Sequence, residues 1–121
     1  MDYILITIKV FIFISIVNVW VFRFHKPTQW RGGNADSMKD EFANYGLSEP
    51  IMYLIGGLKL TAAGLLLASI WVSGLTFYGA LPMALLMAGA IFMHFKVNDP
   101  IKKSLPALIF LVLSILLLIL N

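Results

Sequence analysis

Four long apolar runs constrain this chain more than any other feature of its sequence. They cover approximately residues 3–23, 50–72, 75–95 and 100–120, and they leave little of the 121-residue chain outside them. The hydrocarbon core of a bilayer is about 30 Å thick, and roughly 20 apolar residues of α-helix cross it. The sequence therefore predicts an all-α fold, a four-helix transmembrane bundle that forms a single integral membrane domain over residues 1–121.

The composition excludes the soluble classes of protein. Hydrophobic residues make up 60% of the chain and charged residues 12%, whereas a soluble domain carries about 45–50% and about 25%. So few charged residues exclude a soluble enzyme, a disordered tail and a nucleic-acid module. The net charge of +3 comes from basic residues spread beside apolar runs, which favours a membrane surface over nucleic acid as the partner. With no cysteine, disulfides and thiolate metal sites are excluded.

The ends of two runs carry further signals. The first run is expected to be a retained helix, because Asp2 stands where a signal peptide has basic residues and because the apolar stretch is longer than such a peptide needs. In the fourth run, Asp99 is expected to cap the helix and Pro100 to be its first residue. Pro106 would then lie in the second turn.

Basic residues outside the runs predict the orientation of the bundle. The turn at Ser73 and Gly74 has no basic residue, whereas the first and third loops carry seven: Arg23, Lys26, Arg31, Lys39, Lys96, Lys102 and Lys103. Loops rich in lysine and arginine stay in the cytoplasm. We therefore expect a multi-pass protein of the cell membrane, with the first and third loops cytoplasmic and both termini outside.

The long first loop contains a predicted interfacial helix over residues 38–45. Asp36 or Ser37 can cap its start, and Gly46 can end it. Its apolar side chains share one face, which can lie on the bilayer interface or close over the cytoplasmic mouth of the bundle: Met38, Phe42 and Tyr45. Residues 30–34 before it are expected to form an irregular, flexible link.

Small residues mark the expected seams between the spans. Lipid supplies no hydrophobic drive between helices, so close backbone approach must hold the bundle together. Two ladders of small residues fit this role, one on the second span and one on the third: Gly57, Thr61, Gly64, and Ala80, Ala84, Ala88. We interpret both ladders as packing seams within the bundle rather than as a ligand groove.

Lys59 is the most informative polar residue inside a span. It lies about 12 Å along the helix from Ile51, at the 1.5 Å rise of an α-helix, so its side chain cannot easily reach the surface. An unpaired lysine at this depth is costly, and we expect a carboxylate partner or a water-filled vestibule. Two interpretations stay open: a site for a ligand, a proton or a quinone headgroup, or a structural ion pair that ties the loop helix to the bundle.

The remaining polar residues point to no metal site and no catalytic residue. His25 and His94 fall at the same level, but two interfacial histidines make a weak case for haem or metal. His94 is instead expected to handle a proton or contact a ligand near Lys59. Lys9 lies nearer the outer face, and we expect its side chain to extend outward to water.

An ordered set of landmarks resembles the DoxX-like family of small four-span membrane proteins. The set runs from the first loop to the fourth span: Glu41-Phe42, Tyr45-Gly46-Leu47, Gly57-Leu58-Lys59, Met93-His94-Phe95-Lys96, Asp99-Pro100 and Leu105-Pro106-Ala107. The resemblance implies a four-helix bundle. It also implies one polar pocket on the cytoplasmic side, formed by Glu41, Tyr45, Lys59, His94 and Asp99.

The resemblance implies two classes of function. DoxX-like relatives include a small subunit of an archaeal thiosulfate:quinone oxidoreductase, and they resemble an animal chaperone of the endoplasmic reticulum that helps to assemble nicotinic receptors. The leading hypothesis is a non-catalytic, chaperone-like protein without a cofactor, which contacts membrane lipid and binds other membrane proteins or a second copy of itself. The alternative is a membrane subunit of a quinone-linked oxidoreductase complex, with quinone near Lys59 and His94. Transport is a weaker third hypothesis, because the spans show no inverted repeat.

Overall fold

The computed structural model describes residues 3–121, in which four helical segments are long and apolar enough to cross a membrane. The α-helices, numbered in chain order, are α1 (Tyr3–Val17), α2 (Met38–Asn44), α3 (Glu49–Ala68), α4 (Thr76–Lys96) and α5 (Leu105–Leu120). The candidate spans are Tyr3–Phe22, Glu49–Ala68, Ser73–Lys96 and Ile101–Leu120. No strand occurs in the described part of the chain. The predicted all-α, four-span architecture is confirmed.

The four spanning helices form a ring with one weak seam. α1 packs on α3, α3 on α4, and α4 on α5, whereas α1 and α5 touch only slightly. The rings of Phe11 and Phe110 stack across this seam with their centroids 5.7 Å apart. The outside of the ring carries large apolar side chains, as a lipid solvent requires, for example Ile14, Leu54, Phe92 and Ile119.

Glycine and alanine set the spacing between helices at two points. A Cβ atom on Gly79 of α4 would lie 2.8 Å from the carbonyl oxygen of Ala62 on α3, so the two backbones touch there. A Cβ atom on Gly56 of α3 would lie 2.5 Å from the ring of Trp20. Because lipid gives no hydrophobic effect between helices, close packing of this kind stabilises the bundle.

The small-residue ladder expected on the second span faces away from the bundle. Gly57 and Thr61 are exposed, and a Cβ atom on Gly57 or Gly64 would meet no atom within 4 Å. On α4 the ladder is split, since Ala80 and Ala84 are buried and Ala88 is exposed. The contacts of α3 are made instead by neighbouring residues on its other face, Gly56, Ala62 and Ala63. Spacing alone identifies a stripe of small residues, but it does not say whether that stripe faces the bundle or the lipid.

The fourth span begins differently from the sequence prediction. Pro100 has an extended backbone (φ −57°, ψ 147°), a 3₁₀ turn follows at Ile101–Ser104, and α5 starts only at Leu105. Pro106 therefore lies in the first turn of α5, where its missing N–H costs nothing. Asp99 does not cap the helix because its carboxylate is bound to other parts of the chain.

Lys9 extends toward the predicted outer end of the bundle, but it bonds other helices there rather than water. Its side chain is buried, and its ammonium donates hydrogen bonds to the Asn121 side-chain oxygen at 2.9 Å and the Ser69 carbonyl at 3.5 Å. Ser69 is the C-cap of α3, and carbonyl groups at a helix end lack partners within the helix. Lys9 thus ties α1 to the ends of two other helices, which is a better partner for the charge than distant water.

The close approach at Gly79 predicts opposite effects for two Gly→Ala substitutions. G79A should lower the free energy of unfolding by about 1–3 kcal/mol, because the new methyl group meets backbone that cannot move aside. G64A should leave stability unchanged or raise it, since alanine favours helix over glycine and the space there is open. Thermal unfolding in detergent, followed by circular dichroism, compares the two; equal effects would contradict the packing described.

Candidate functional site

The first loop folds over one end of the bundle. The Ser37 hydroxyl accepts a hydrogen bond from the Asp40 N–H at 3.1 Å and so caps α2, and Gly46 ends the segment with a positive φ of 78°. The apolar face of α2 is buried against the spanning helices. The Phe42 ring meets Trp20 edge-on at 5.8 Å, and the Tyr45 ring meets His94 edge-on at 6.0 Å. Of the two predicted positions for this face, the structure shows the one that closes over the bundle.

Arg31 organises the loop that precedes α2. Its side chain is buried and donates hydrogen bonds to the carbonyl groups of Arg23 and Lys26 at 2.6 and 3.0 Å. It also forms an ion pair with Glu41 at 3.0 Å. Sequence reasoning treated this segment as a flexible link and counted Arg31 only as a loop charge. The sequence signal for close packing in this segment was the adjacent glycine pair. A Cβ atom on Gly32 would clash with the ring of Tyr45.

Glu41 joins Arg31 to Tyr45. Its second carboxylate oxygen accepts a hydrogen bond from the Tyr45 hydroxyl at 2.9 Å. Burial, followed by the nearby charge of Glu41, raises the pKa of Tyr45 well above its usual value of 10.0. The phenol therefore stays protonated and acts as a donor. The Arg31, Glu41 and Tyr45 side chains form a satisfied network that leaves no net charge.

Asp99 connects the loop to α4. One carboxylate oxygen lies 2.7 Å from Nδ1 of His94, and the carboxylate also accepts a hydrogen bond from the Gly33 N–H at 3.1 Å. Gly33 has a φ of +62°, which glycine adopts without a steric penalty. Burial alone would raise the pKa of Asp99, but the bonds from His94 and Gly33, together with Lys103 nearby, outweigh it and lower that pKa below its usual 3.8.

A cavity of about 850 Å³ lies beneath α2, among α1, α3, α4 and α5. Its polar end carries Arg31, Glu41, Tyr45 and His94, and its walls toward the membrane are apolar: Ile16, Leu86, Met87, Ala90 and Phe110. Four lining residues, two on a π-helical turn after α1 (Asn18–Phe22) and two on α4, are also exposed: Asn18, Val19, Leu85 and Gly89. The cavity therefore opens sideways, at the depth of the spans.

Lys59 lines this cavity without a partner of opposite charge at bonding distance. Its ammonium lies over the Trp20 ring, 5.6 Å from the centroid. No described carboxylate is within ion-pair distance of it, and Glu41 acts on it only across the cavity. The direct ion pair expected as one of two surroundings for Lys59 does not occur within residues 3–121, and the side chain lines a cavity instead.

The structure brings most of the candidate pocket residues to one place. Glu41, Tyr45, Lys59 and His94 line the cavity, while Asp99 lies behind His94 and does not line it. His25 is exposed and contacts Phe24 rather than the cavity. No group of three or more His, Cys, Asp or Glu side chains within residues 3–121 could hold a metal ion.

Two lining features lay outside the sequence prediction, Trp20 and the π-helical turn that contains it. Residues Asn18–Phe22 form one π-helical turn after α1, a distortion that is frequent at functional sites. Trp20 packs into the bundle from this turn, while Asn18 reaches the cavity. No periodicity in the sequence marks such a turn, because it inserts one residue into an otherwise regular helix.

A family model described as the DoxX-like family matches residues 29–117, which is most of the chain. No curated protein matches the chain, and no solved structure matches it.

The lowered pKa of Asp99 predicts an acid-sensitive loop. A carboxylate whose pKa is lower in the folded state stabilises fully above its unfolded value of 3.8, and that stabilisation is lost as the pH falls through the lower folded value. The melting temperature of the wild-type protein should therefore fall below about pH 4. D99N should have a lower melting temperature at neutral pH, and that temperature should change less in acid. The exposed D36N variant is the control and should titrate like wild type. Identical acid profiles for wild type and D99N would contradict the assignment.

Proposed function

This chain belongs to the DoxX-like family, and from that premise we propose that it is a non-catalytic, multi-pass membrane protein that binds a lipid-soluble small molecule in the cavity beneath α2. The observation that carries the proposal is the form of the cavity. It has polar side chains at one end, apolar walls at the other, and an opening at membrane depth. A molecule dissolved in the bilayer can enter such a site without crossing water.

The size and closure of the cavity support a ligand rather than a packing defect. Its volume of about 850 Å³ falls within the roughly 300–1,000 Å³ of small-molecule sites. α2 covers one end, with Met38 and Phe42 buried beneath it. The polar network of Arg31, Glu41 and Tyr45 keeps that cover in place, so the site is preformed.

We propose that the covered end of the cavity faces the cytoplasm. The loop between α1 and α3 and the loop between α4 and α5 lie at that end, and they hold the basic residues of the loops. The turn between α3 and α4, at the opposite end, has none. This distribution supports cytoplasmic first and third loops and outer termini.

A quinone is one ligand that suits this site, and it keeps the redox-subunit alternative open. Nδ1 of His94 is engaged by Asp99, which leaves Nε2 as the ring nitrogen available to a ligand. An imidazole held in this way can form a hydrogen bond through Nε2 with the oxygen of a quinone or quinol headgroup. The same geometry suits other molecules with a polar head, so the ligand itself must be identified.

Filling the cavity predicts the loss of a co-purifying molecule. Ala90 lines the cavity on α4, and Ala88 lies on the same helix outside it. Protein extracted gently from its native membrane should carry a lipid-soluble molecule at a near-constant ratio, A88F should retain it, and A90F should lose it. Mass spectrometry of organic extracts measures the ratio. A quinone in the extract would favour the redox subunit, and equal lipid content in all three proteins would contradict the proposed site.

A second candidate function is self-association through the outward face of α3. Gly57, Thr61 and Gly64 form a small-residue stripe that no described part of the chain covers. Stripes of this type let two membrane helices approach closely. They support the interaction role expected from the sequence, with a second copy of this chain as the partner.

Disulfide crosslinking tests this association directly, because the chain has no cysteine of its own. T61C should give a disulfide-linked dimer in native membranes under mild oxidation, since symmetric helix contact brings the two thiols together. V112C places a thiol on an equally lipid-facing position of α5 and should give little dimer. Comparable yields from both variants would indicate random collision and would contradict an α3 interface.

A further inference from the structure

We infer that the ligand of this cavity is an anionic amphiphile, whose acidic head lies beside Lys59 and whose apolar tail leaves the bundle sideways into the bilayer. The inference rests on the proposed function and adds the chemical class of the ligand. It depends on the charges around the cavity, on the surroundings of Lys59 and on the position of the opening.

The charges around the cavity do not cancel. Arg31 and Glu41 neutralise each other at 3.0 Å, and Lys103 lies 3.8 Å from Asp99. Arg23 stands at the exposed edge of the loop, where water can reach it. Lys59 is the lining cation that forms no ion pair within the described chain and that lies on a spanning helix rather than in a loop. The cavity therefore carries an excess of positive charge at membrane depth.

The contact with Trp20 holds Lys59 in place without removing that excess. The ring face attracts the ammonium, 5.6 Å from its centroid, but a cation–π contact adds no negative charge. Glu41, the acid that acts on Lys59, already accepts from Arg31 and Tyr45. A neutral headgroup would leave the ammonium uncompensated in a medium of low polarity, whereas a carboxylate or a phosphate would pair with it.

The opening of the cavity explains why the ligand is an amphiphile rather than a small anion. Asn18 and Val19 form one edge of the opening, and Phe110 on α5 lines the cavity across the weak seam from α1. The side chains of α4 and α5 that line the cavity include apolar walls at Leu86, Ala90 and Phe110. An acyl or isoprenoid tail can follow these walls outward and bury its apolar surface against them, whereas a free inorganic anion would leave them without a contact.

Tryptophan quenching by brominated lipids tests the inference. Trp20 and Trp30 line the cavity, and W71F removes the third, exposed tryptophan. In W71F protein held in phosphatidylcholine nanodiscs, 9,10-dibromostearic acid should quench with an apparent Kd about tenfold lower than its methyl ester, as a charged hydrogen bond predicts. K59M should abolish the difference, and K59R should keep it.

Matched controls test whether the preference for the acid depends on Lys59 or on the net charge of the protein, and which kind of molecule carries the acid. K39M removes an exposed lysine outside the cavity and should retain the preference for the acid, which excludes an effect of net charge. Quenching by dibrominated phosphatidylglycerol with the same dependence on Lys59 would assign the acid to a membrane phospholipid. Quenching by the fatty acid alone would assign it to a free acid. Either result supports an anionic head.

Two results would overturn the inference in different ways. Equal, saturable quenching by the acid and the ester, unchanged in K59M, would mean that the cavity binds lipid without reading charge; the proposed function would stand and the anionic class would fail. No saturable quenching by any probe in correctly folded wild-type and K59R protein would count against both the ligand class and the binding function.

Discussion

The buried guanidinium of Arg31 is the contact on which the polar end of this protein depends. It bonds two carbonyl groups of the preceding loop and the carboxylate of Glu41. Glu41 in turn accepts a hydrogen bond from the hydroxyl of Tyr45, whose ring lies against His94 of α4. Arginine suits this position because its planar head offers five donors in fixed directions and stays charged when buried. One side chain thus orders the loop, fixes α2 and closes the cavity.

The parts of the structure that depend on local signals could be predicted from the sequence. Four apolar runs of sufficient length define the spans, because hydrocarbon leaves a backbone few ways to satisfy its polar groups. α2 was also predictable, since Ser37 and Gly46 mark its ends and its apolar residues follow helical spacing. These features involve residues close together in the chain. Family resemblance then indicated which polar residues would meet, and four of the five line one cavity.

The features that could not be predicted depend on partners far away in the chain. Asp99 reads as a helix cap from its neighbours, yet it binds Gly33, which lies 66 residues earlier. Lys9 reads as a residue that reaches for water, yet it bonds the end of a different helix. The ladder of Gly57 and Gly64 has the correct spacing for a seam, but rotation of α3 about its axis decides which face packs. Local patterns carry no information on these choices.

Part of the cavity wall comes from the π-helical turn after α1. The family match begins at residue 29, so α1 and this turn fall outside the matched region. They nevertheless supply Trp20, which holds Lys59, and Asn18 at the opening. The polar end of the cavity and the edge of its opening are therefore built by separate parts of the chain. Substitutions confined to residues 18–20 would therefore change the shape of the cavity wall while leaving the Arg31 network intact.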